Sequence, residues 1–176
     1  MRVEIVFETH SMTEDNERGI ATGWLPGRLS ERGRSLAREL GARRRDDGLA
    51  AVFTSDLARA VETAAIAFAR SPLPVNADPR LRECNYGELN GASVENLAPR
   101  SRWITTPYPG GESYRQVVER VREFIADLEP FDGHRVLVIG HSATRWALDH
   151  LIAGGSLEAL VDAPFDWQPG WIYRTT

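Results

Sequence analysis

The sequence contains no lysine. All 21 basic residues are arginine, which excludes Schiff-base chemistry and the lysine of a phosphate-binding P-loop. It leaves planar guanidinium forks suited to bidentate binding of phosphate or carboxylate. Cysteine is almost as scarce, with Cys84 standing alone, so neither an internal disulfide framework nor a thiolate zinc cluster is available. The histidines are His10, His134, His141 and His150. None has a carboxylate or second histidine at ligand spacing, and no metal or other cofactor is expected. Long hydrophobic runs are missing too. Val136–Ile139 falls far short of the ~20 residues of a membrane span, and Met1-Arg2-Val3-Glu4 does not read as a signal peptide. The expectation is a cytoplasmic protein without membrane contact. A net charge of −4, with no basic run longer than Arg43-Arg44-Arg45, argues against nucleic acid. That triple is expected to close a helix, where cations suit the dipole.

What is present is a chain of 176 residues, 42% apolar and 26% charged, which is enough for one globular domain with a substantial core. Residues 3–8, Val52-Phe53 and Val136–Ile139 are short apolar segments that read as buried strands. Leu57, Val61, Ala64, Ala65 and Phe68 keep helical spacing, as do Tyr114, Val117, Val118, Val121, Ile125 and Leu128. A third helix starts near Ser30, which can cap it, and a fourth follows His141; Gly41 and Gly154 sit near their expected ends. Alternating strands and helices predict a three-layer α/β sandwich, with a mainly parallel central sheet and helices on both faces. Residues 70–111, rich in proline, read as loops and short pieces over one sheet edge.

His10 and His141 each follow a predicted strand, which brings both rings to the end of the sheet where ligands bind. Two imidazoles among arginines can serve as nucleophile and proton handler, or stand as structural histidines.

Six segments occur in the order seen in the histidine phosphatase (phosphoglycerate mutase-like) superfamily. They are Thr9-His10-Ser11-Met12-Thr13, Leu29-Ser30-Glu31-Arg32-Gly33, Thr54-Ser55-Asp56-Leu57-Ala58-Arg59-Ala60 with Thr63-Ala64, Leu81-Arg82-Glu83-Cys84-Asn85-Tyr86-Gly87 with Gly91, Gly110-Gly111-Glu112-Ser113, and Val138-Ile139-Gly140-His141. The chain resembles that family over residues 3 to 155. The resemblance implies a metal-independent phosphomonoesterase acting on a small phosphorylated metabolite through a phosphohistidine. His10 is similar to the nucleophile and His141 to the second histidine that bonds the equatorial oxygens. Arg59 resembles a clamping arginine, Asn16 an asparagine contacting the phosphoryl group, and Glu83 the general acid.

The chain departs from the family's Arg-His-Gly at two positions, with Thr9 before the nucleophile and Ser11 after it. Loss of one guanidinium is expected to cost ~10- to 100-fold or more unless something replaces it. Arg145 is favoured for that role, ahead of Arg18 and Arg28, although it can equally pair with Asp149. Glu8, beside the nucleophile, is expected to share a sheet face with Glu4 and Val6 and to orient an imidazole or arginine. Ser142 likewise replaces a glycine after His141. Thr9, Ser11 and Ser142 can contact the phosphoryl group, and the two serines can instead cap the following turns. Trp24, Trp103, Tyr108 and Tyr86 are candidates for an apolar pocket wall, whereas Trp146, Trp167 and Trp171 read as core. The segment Trp167–Tyr173 is either a closing strand or a partner surface, which leaves a homodimer open.

Three other readings stay open. A phosphoglycerate-type mutase shares the motifs, although such mutases are usually longer. The missing arginine also permits a domain that holds an anion without cleaving it, or a site for a non-phosphate substrate.

Overall fold

The computed structural model describes residues 1–176. Strand β1 (Glu4–Thr9) alternates its side chains between two cores. Ile5 and Phe7 join one buried cluster, and Val6 joins the other. Helix α1 (Glu14–Arg18) is a single turn closed by a capping box between Thr13 and Asn16. Helix α2 (Glu31–Arg44) starts where the sequence places it, with the Ser30 hydroxyl accepting from the Gly33 amide at 3.0 Å. Strand β2 (Leu49–Thr54) and helix α3 (Ala58–Ala67) follow, then the edge strand β3 (Val75–Ala77) and a run of short 3-10 turns through Trp103. Helix α4 (Tyr114–Ala126), strand β4 (Arg135–Gly140), helix α5 (Ser142–Leu151), helix α6 (Leu157–Val161) and strand β5 (Trp171–Arg174) complete the chain.

The sheet order is β3-β2-β4-β1-β5. Every pairing is parallel except β1 with β5, so the mainly parallel three-layer α/β arrangement is as expected. Leu40 of α2 and Ala60, Ala64 and Ala67 of α3 cover Val6, Val52, Leu137 and Ile139 on one face. Val117, Val121 and Phe124 of α4 and Ala147 and Leu148 of α5 cover Ile5, Phe7, Val136 and Val138 on the other. The strand β5 settles part of the C-terminal question, since Trp171–Arg174 closes the sheet against β1.

Two local readings need correction. Val61 and Ala65 are exposed, because α3 turns Ala60, Thr63, Ala64 and Ala67 to the sheet instead. An alanine-rich helix has no large side chain to fix its buried arc, so spacing alone chose the wrong edge. Gly41 does not end α2 but lies inside it. Its bare Cα lets α3 approach, and a Cβ there would come within 2.3 Å of the Ala67 carbonyl oxygen.

Candidate active site

The last residues of β1 and β4, Thr9 and Gly140, are register partners, and the His10 amide donates to the Gly140 carbonyl at 2.9 Å. That pairing places the His10 and His141 rings with centroids 5.0 Å apart. Both line one cavity of about 880 Å³ together with Arg59, Glu83, Asn16 and Ser142.

The two imidazoles are prepared oppositely. Nδ1 of His10 lies 2.7 Å from the Ser11 carbonyl oxygen. A carbonyl can only accept, so Nδ1 carries the proton and Nε2 keeps its lone pair. Burial, and then the Arg59 charge, push the His10 pKa down to about 3, which leaves the ring neutral at ordinary pH. The Ser55 hydroxyl oxygen accepts from the Leu57 amide at 3.2 Å and sits 2.7 Å from Nε2 of His141. A hydroxyl that points its own proton at Nε2 leaves the His141 proton on Nδ1. That Nδ1 is buried and has no partner. A buried N–H without an acceptor is costly, and here it stands beside a lone pair in a cavity. Burial, followed by the charges of Arg59 and His10, holds the His141 pKa well below its ordinary value.

Arg59, in the first turn of α3, is almost fully buried. One guanidinium nitrogen donates to the Gly23 carbonyl at 2.8 Å, and the other reaches the Leu25 carbonyl at 3.4 Å. Glu83 enters from the loop after the 3-10 turn Pro79–Leu81, and its Oε1 accepts from the amides of Cys84 (2.8 Å) and Ala143 (3.3 Å). Burial raises its pKa against those bonds and the Arg59 charge. The neighbouring Cys84 is buried and free, and burial pushes its thiol up, so it is no rival nucleophile.

The Glu83 loop is held by Arg120 of α4. Its guanidinium donates to the carbonyls of Arg80, Arg82 and Glu83 at 2.7–3.0 Å and to the Glu112 carboxylate at 3.0 Å. Arg120→Ala leaves the Arg80 and Arg82 carbonyls without this donor and removes the cation from Glu112, and is expected to cost about 2–4 kcal/mol. Urea unfolding would read this loss, and full stability in Arg120→Ala would overturn the role. Arg120→Lys is not expected to rescue it, because a point charge cannot serve four acceptors in one plane.

Several expected site residues lie elsewhere. Arg145 pairs with Asp149 at 3.2 Å and stacks over Trp171 at 5.0 Å, outside the cavity. Arg18 and Arg28 are exposed and paired with Asp15 and Glu14. None replaces the arginine missing at Thr9, although Thr9 itself lines the cavity. Ser11 does line the cavity, with its amide donating to Thr63 Oγ1 and its hydroxyl to the Gly33 carbonyl. Trp24 is not a wall but a brace, its indole N–H donating to the Glu83 carbonyl at 2.7 Å. Trp103 and Tyr108 stack at 4.8 Å away from the cavity. Trp146 is in the core as expected and also borders the cavity, while Trp167, expected in the core, is half exposed and lines it. Tyr86 lines it as expected.

The cations that do arrive, Arg100 and Arg43, were not expected at the site, although the Arg43-Arg44-Arg45 triple closes α2 as the sequence predicts. Arg100 reaches the cavity from the proline-rich insert, its backbone amide held by Asp162. Its Nε is buried without a partner, and its charge acts on Glu83. Arg43 of α2 grips Glu8 through Nε and Nη2 at 2.9 and 2.7 Å, and Arg44 adds a third bond at 3.1 Å. Glu8 is therefore a buried anchor for two arginines on the face it shares with Val6, as alternation predicts. No group of side chains in the structure has the composition to hold a metal ion, and no helix is long and apolar enough to cross a membrane.

Comparisons with known proteins point the same way. The sequence profile of the Histidine phosphatase superfamily (branch 1) matches residues 5–168. The 2,3-bisphosphoglycerate-dependent phosphoglycerate mutase of Methylobacterium sp. (strain 4-46) is 33% identical over 175 residues, covering 89% of this chain and 83% of its own. Among solved structures, Bacillus stearothermophilus YhfR superimposes with a TM-score of 0.83 at 27% identity, over 95% of this chain and 88% of its own. A mycobacterial glucosyl-3-phosphoglycerate phosphatase, solved with VO3, gives 0.75 at 29% identity over 90% and 85%.

Proposed function

Because this chain belongs to the histidine phosphatase superfamily, whose relatives here are phosphatases or mutases, we propose that it is a metal-independent phosphomonoesterase working through a phosphohistidine at His10. The observation that carries this reading is the pair of buried histidines with ring centroids 5.0 Å apart, His10 with Nδ1 tied to the Ser11 carbonyl and Nε2 left free, His141 with an unpartnered Nδ1. A phosphoryl group bound between them supplies the electrophile for one and the oxygen acceptor for the other.

In the first half-reaction Nε2 of His10 attacks phosphorus in line, the P–O bond to the leaving group breaks, and protonated Glu83 gives that oxygen its proton. Arg59 and the His141 N–H hold the equatorial oxygens as charge spreads over them. Asn16, which lines the cavity while its Oδ1 caps α1, is placed to offer its amide N–H, and Ser142 lies at the first turn of α5 facing the same space. In the second half-reaction ionised Glu83 takes a proton from water, and the resulting hydroxide displaces His10 from phosphorus to release inorganic phosphate. Arg100 supplies the second guanidinium that the Thr9 position does not.

Hydrolysis is favoured over mutase chemistry by the apolar residues, Leu36, Phe165 and Trp167 among them, that line the part of the cavity away from the histidines. The test is phosphate release from simple phosphomonoesters without added metal, with an alkaline detergent quench to trap the acid-labile, base-stable label on His10. Label and release together support the reading. Transfer between two hydroxyls without free phosphate would make it a mutase. Binding of vanadate with neither label nor release would make it an anion-binding domain.

A further inference from the structure

The catalytic groups occupy one end of a cavity whose volume, about 880 Å³, falls in the ~300–1,000 Å³ range of sites that enclose drug-sized ligands. The remainder runs along α2. Arg32, Leu36, Leu40 and Arg43, spaced by four, four and three residues, line it on a single helix face, a length of roughly 16 Å at ~1.5 Å per residue. Opposite them the segment between α6 and β5 contributes Phe165 and Trp167. These two side chains are 55% and 54% exposed, the most exposed aromatics in the molecule, and both face this cavity.

The segment is strapped in place. Arg43 lies over the Trp167 ring at 5.8 Å while gripping Glu8, and Arg44 bonds Glu8 and the Pro169 carbonyl at 2.8 Å. Glu8 is thus the shared anchor, one residue from Thr9 and two from the nucleophile. Arg43 has spent Nε and Nη2 on it, and Arg100 lies on the side of Glu83. Arg32, exposed at the mouth, is the cation left to this half of the cavity.

We propose that the groove between α2 and the Asp162–Gly170 segment is the leaving-group subsite. It takes phosphomonoesters of an apolar, ring-bearing alcohol, with Trp167 and Phe165 as the residues that select it. The proposal rests on the phosphatase reading, because the alcohol must lie next to the phosphorus held at His10 and within reach of Glu83. An aromatic or alicyclic ring placed there covers both exposed aromatics against Leu36 and Leu40. A small anionic alcohol would leave that surface wet.

The experiment compares kcat/KM for 2-phenylethyl phosphate and ethyl phosphate, whose leaving alcohols have similar acidity. Wild-type protein is expected to prefer the ring-bearing ester by at least about tenfold, the scale on which an apolar pocket discriminates. Trp167→Ala is expected to collapse most of that preference, chiefly through KM, and Phe165→Ala to act in the same direction. Both side chains are half exposed, so the variants should melt with the wild type. An unchanged ratio in Trp167→Ala, or a wild-type preference for a carboxylate-bearing alcohol, overturns the subsite while leaving the phosphatase standing. Should neither ester turn over, the phosphatase reading fails. The subsite is then decided by calorimetry with 3-phenylpropylphosphonate against propylphosphonate, where tighter binding of the former that is lost in Trp167→Ala supports it and equal binding overturns it.

Discussion

His10→Ala is expected to lower kcat for phosphate release by roughly 10⁴- to 10⁶-fold, the scale on which loss of a catalytic nucleophile acts. The reason lies in what remains. Arg59, His141 and Glu83 would still bind a phosphate ester and polarise it. Water attacking directly would find no base beside it, because Glu83 must stay protonated to release the alcohol. The substitution costs one buried bond, from Nδ1 to the Ser11 carbonyl, worth about 1 kcal/mol, so the fold survives and vanadate binding is retained. Rates within tenfold of wild type in the folded variant would sink the phosphohistidine reading, whereas lost activity with retained vanadate binding separates chemistry from binding.

The second large effect is expected at Glu83. General acid catalysis contributes ~10²- to 10⁴-fold, and it matters in proportion to how poor the leaving group is. Glu83→Gln should therefore lose about 10³-fold on an alkyl phosphate and far less on p-nitrophenyl phosphate, whose phenolate leaves unaided. The pH dependence has a definite sign. Burial raises the carboxyl's pKa, so the acid form persists above the range of an exposed glutamate. Activity on alkyl esters falls as pH climbs through that raised value, and the alkaline limb disappears in Glu83→Gln. Stability runs in the same direction. The native state holds this proton more tightly than the unfolded chain, so its contribution is present at low pH and lost as pH rises through the folded-state value. Above that value the buried charge is a cost, and at any pH a glutamine oxygen still accepts from the Cys84 and Ala143 amides. Glu83→Gln is thus expected to melt no lower than wild type at pH 7. A clear drop in melting temperature, or equal losses on the two esters, would refute the acid role.

How much of this could be read in advance depended on how each side chain reaches its place. His10 and His141 were legible because they follow buried strands whose apolar runs are unmistakable, and parallel pairing then fixes both rings at one end of the sheet. Glu8 was legible as to face, since period-two alternation leaves no choice. Arg59 was legible through its motif, but the cation that would stand in for the one missing at Thr9 was not. A guanidinium sits some 6–7 Å from its Cα on a flexible stem, so its destination depends on which carboxylate the tertiary fold delivers. Arg145 found Asp149 one turn along its own helix, while Arg43 found Glu8 across a layer. Arg100 rides an irregular insert with no periodicity to interpret. Trp24 and Trp167 failed for a related reason, since the path of the Glu83 loop makes the first a brace and the segment before β5 carries the second to the cavity. Ser55 was in view within a motif segment, but its contact with Nε2 of His141 is made only in three dimensions.

The pairing of Thr9 with Gly140 has a consequence for how the molecule fails on warming. The nucleophile hangs from the central ladder of the sheet, which opens only when the whole domain does, whereas Glu83 and Arg100 hang from irregular loops that open at lower cost. Heat therefore disarms the acid and base before it displaces His10. On the phosphohistidine reading, the protein in that interval would still take a phosphoryl group from an activated donor but could not pass it to water. A catalyst becomes a stoichiometric sink, one covalent charge per chain, before it becomes a denatured one.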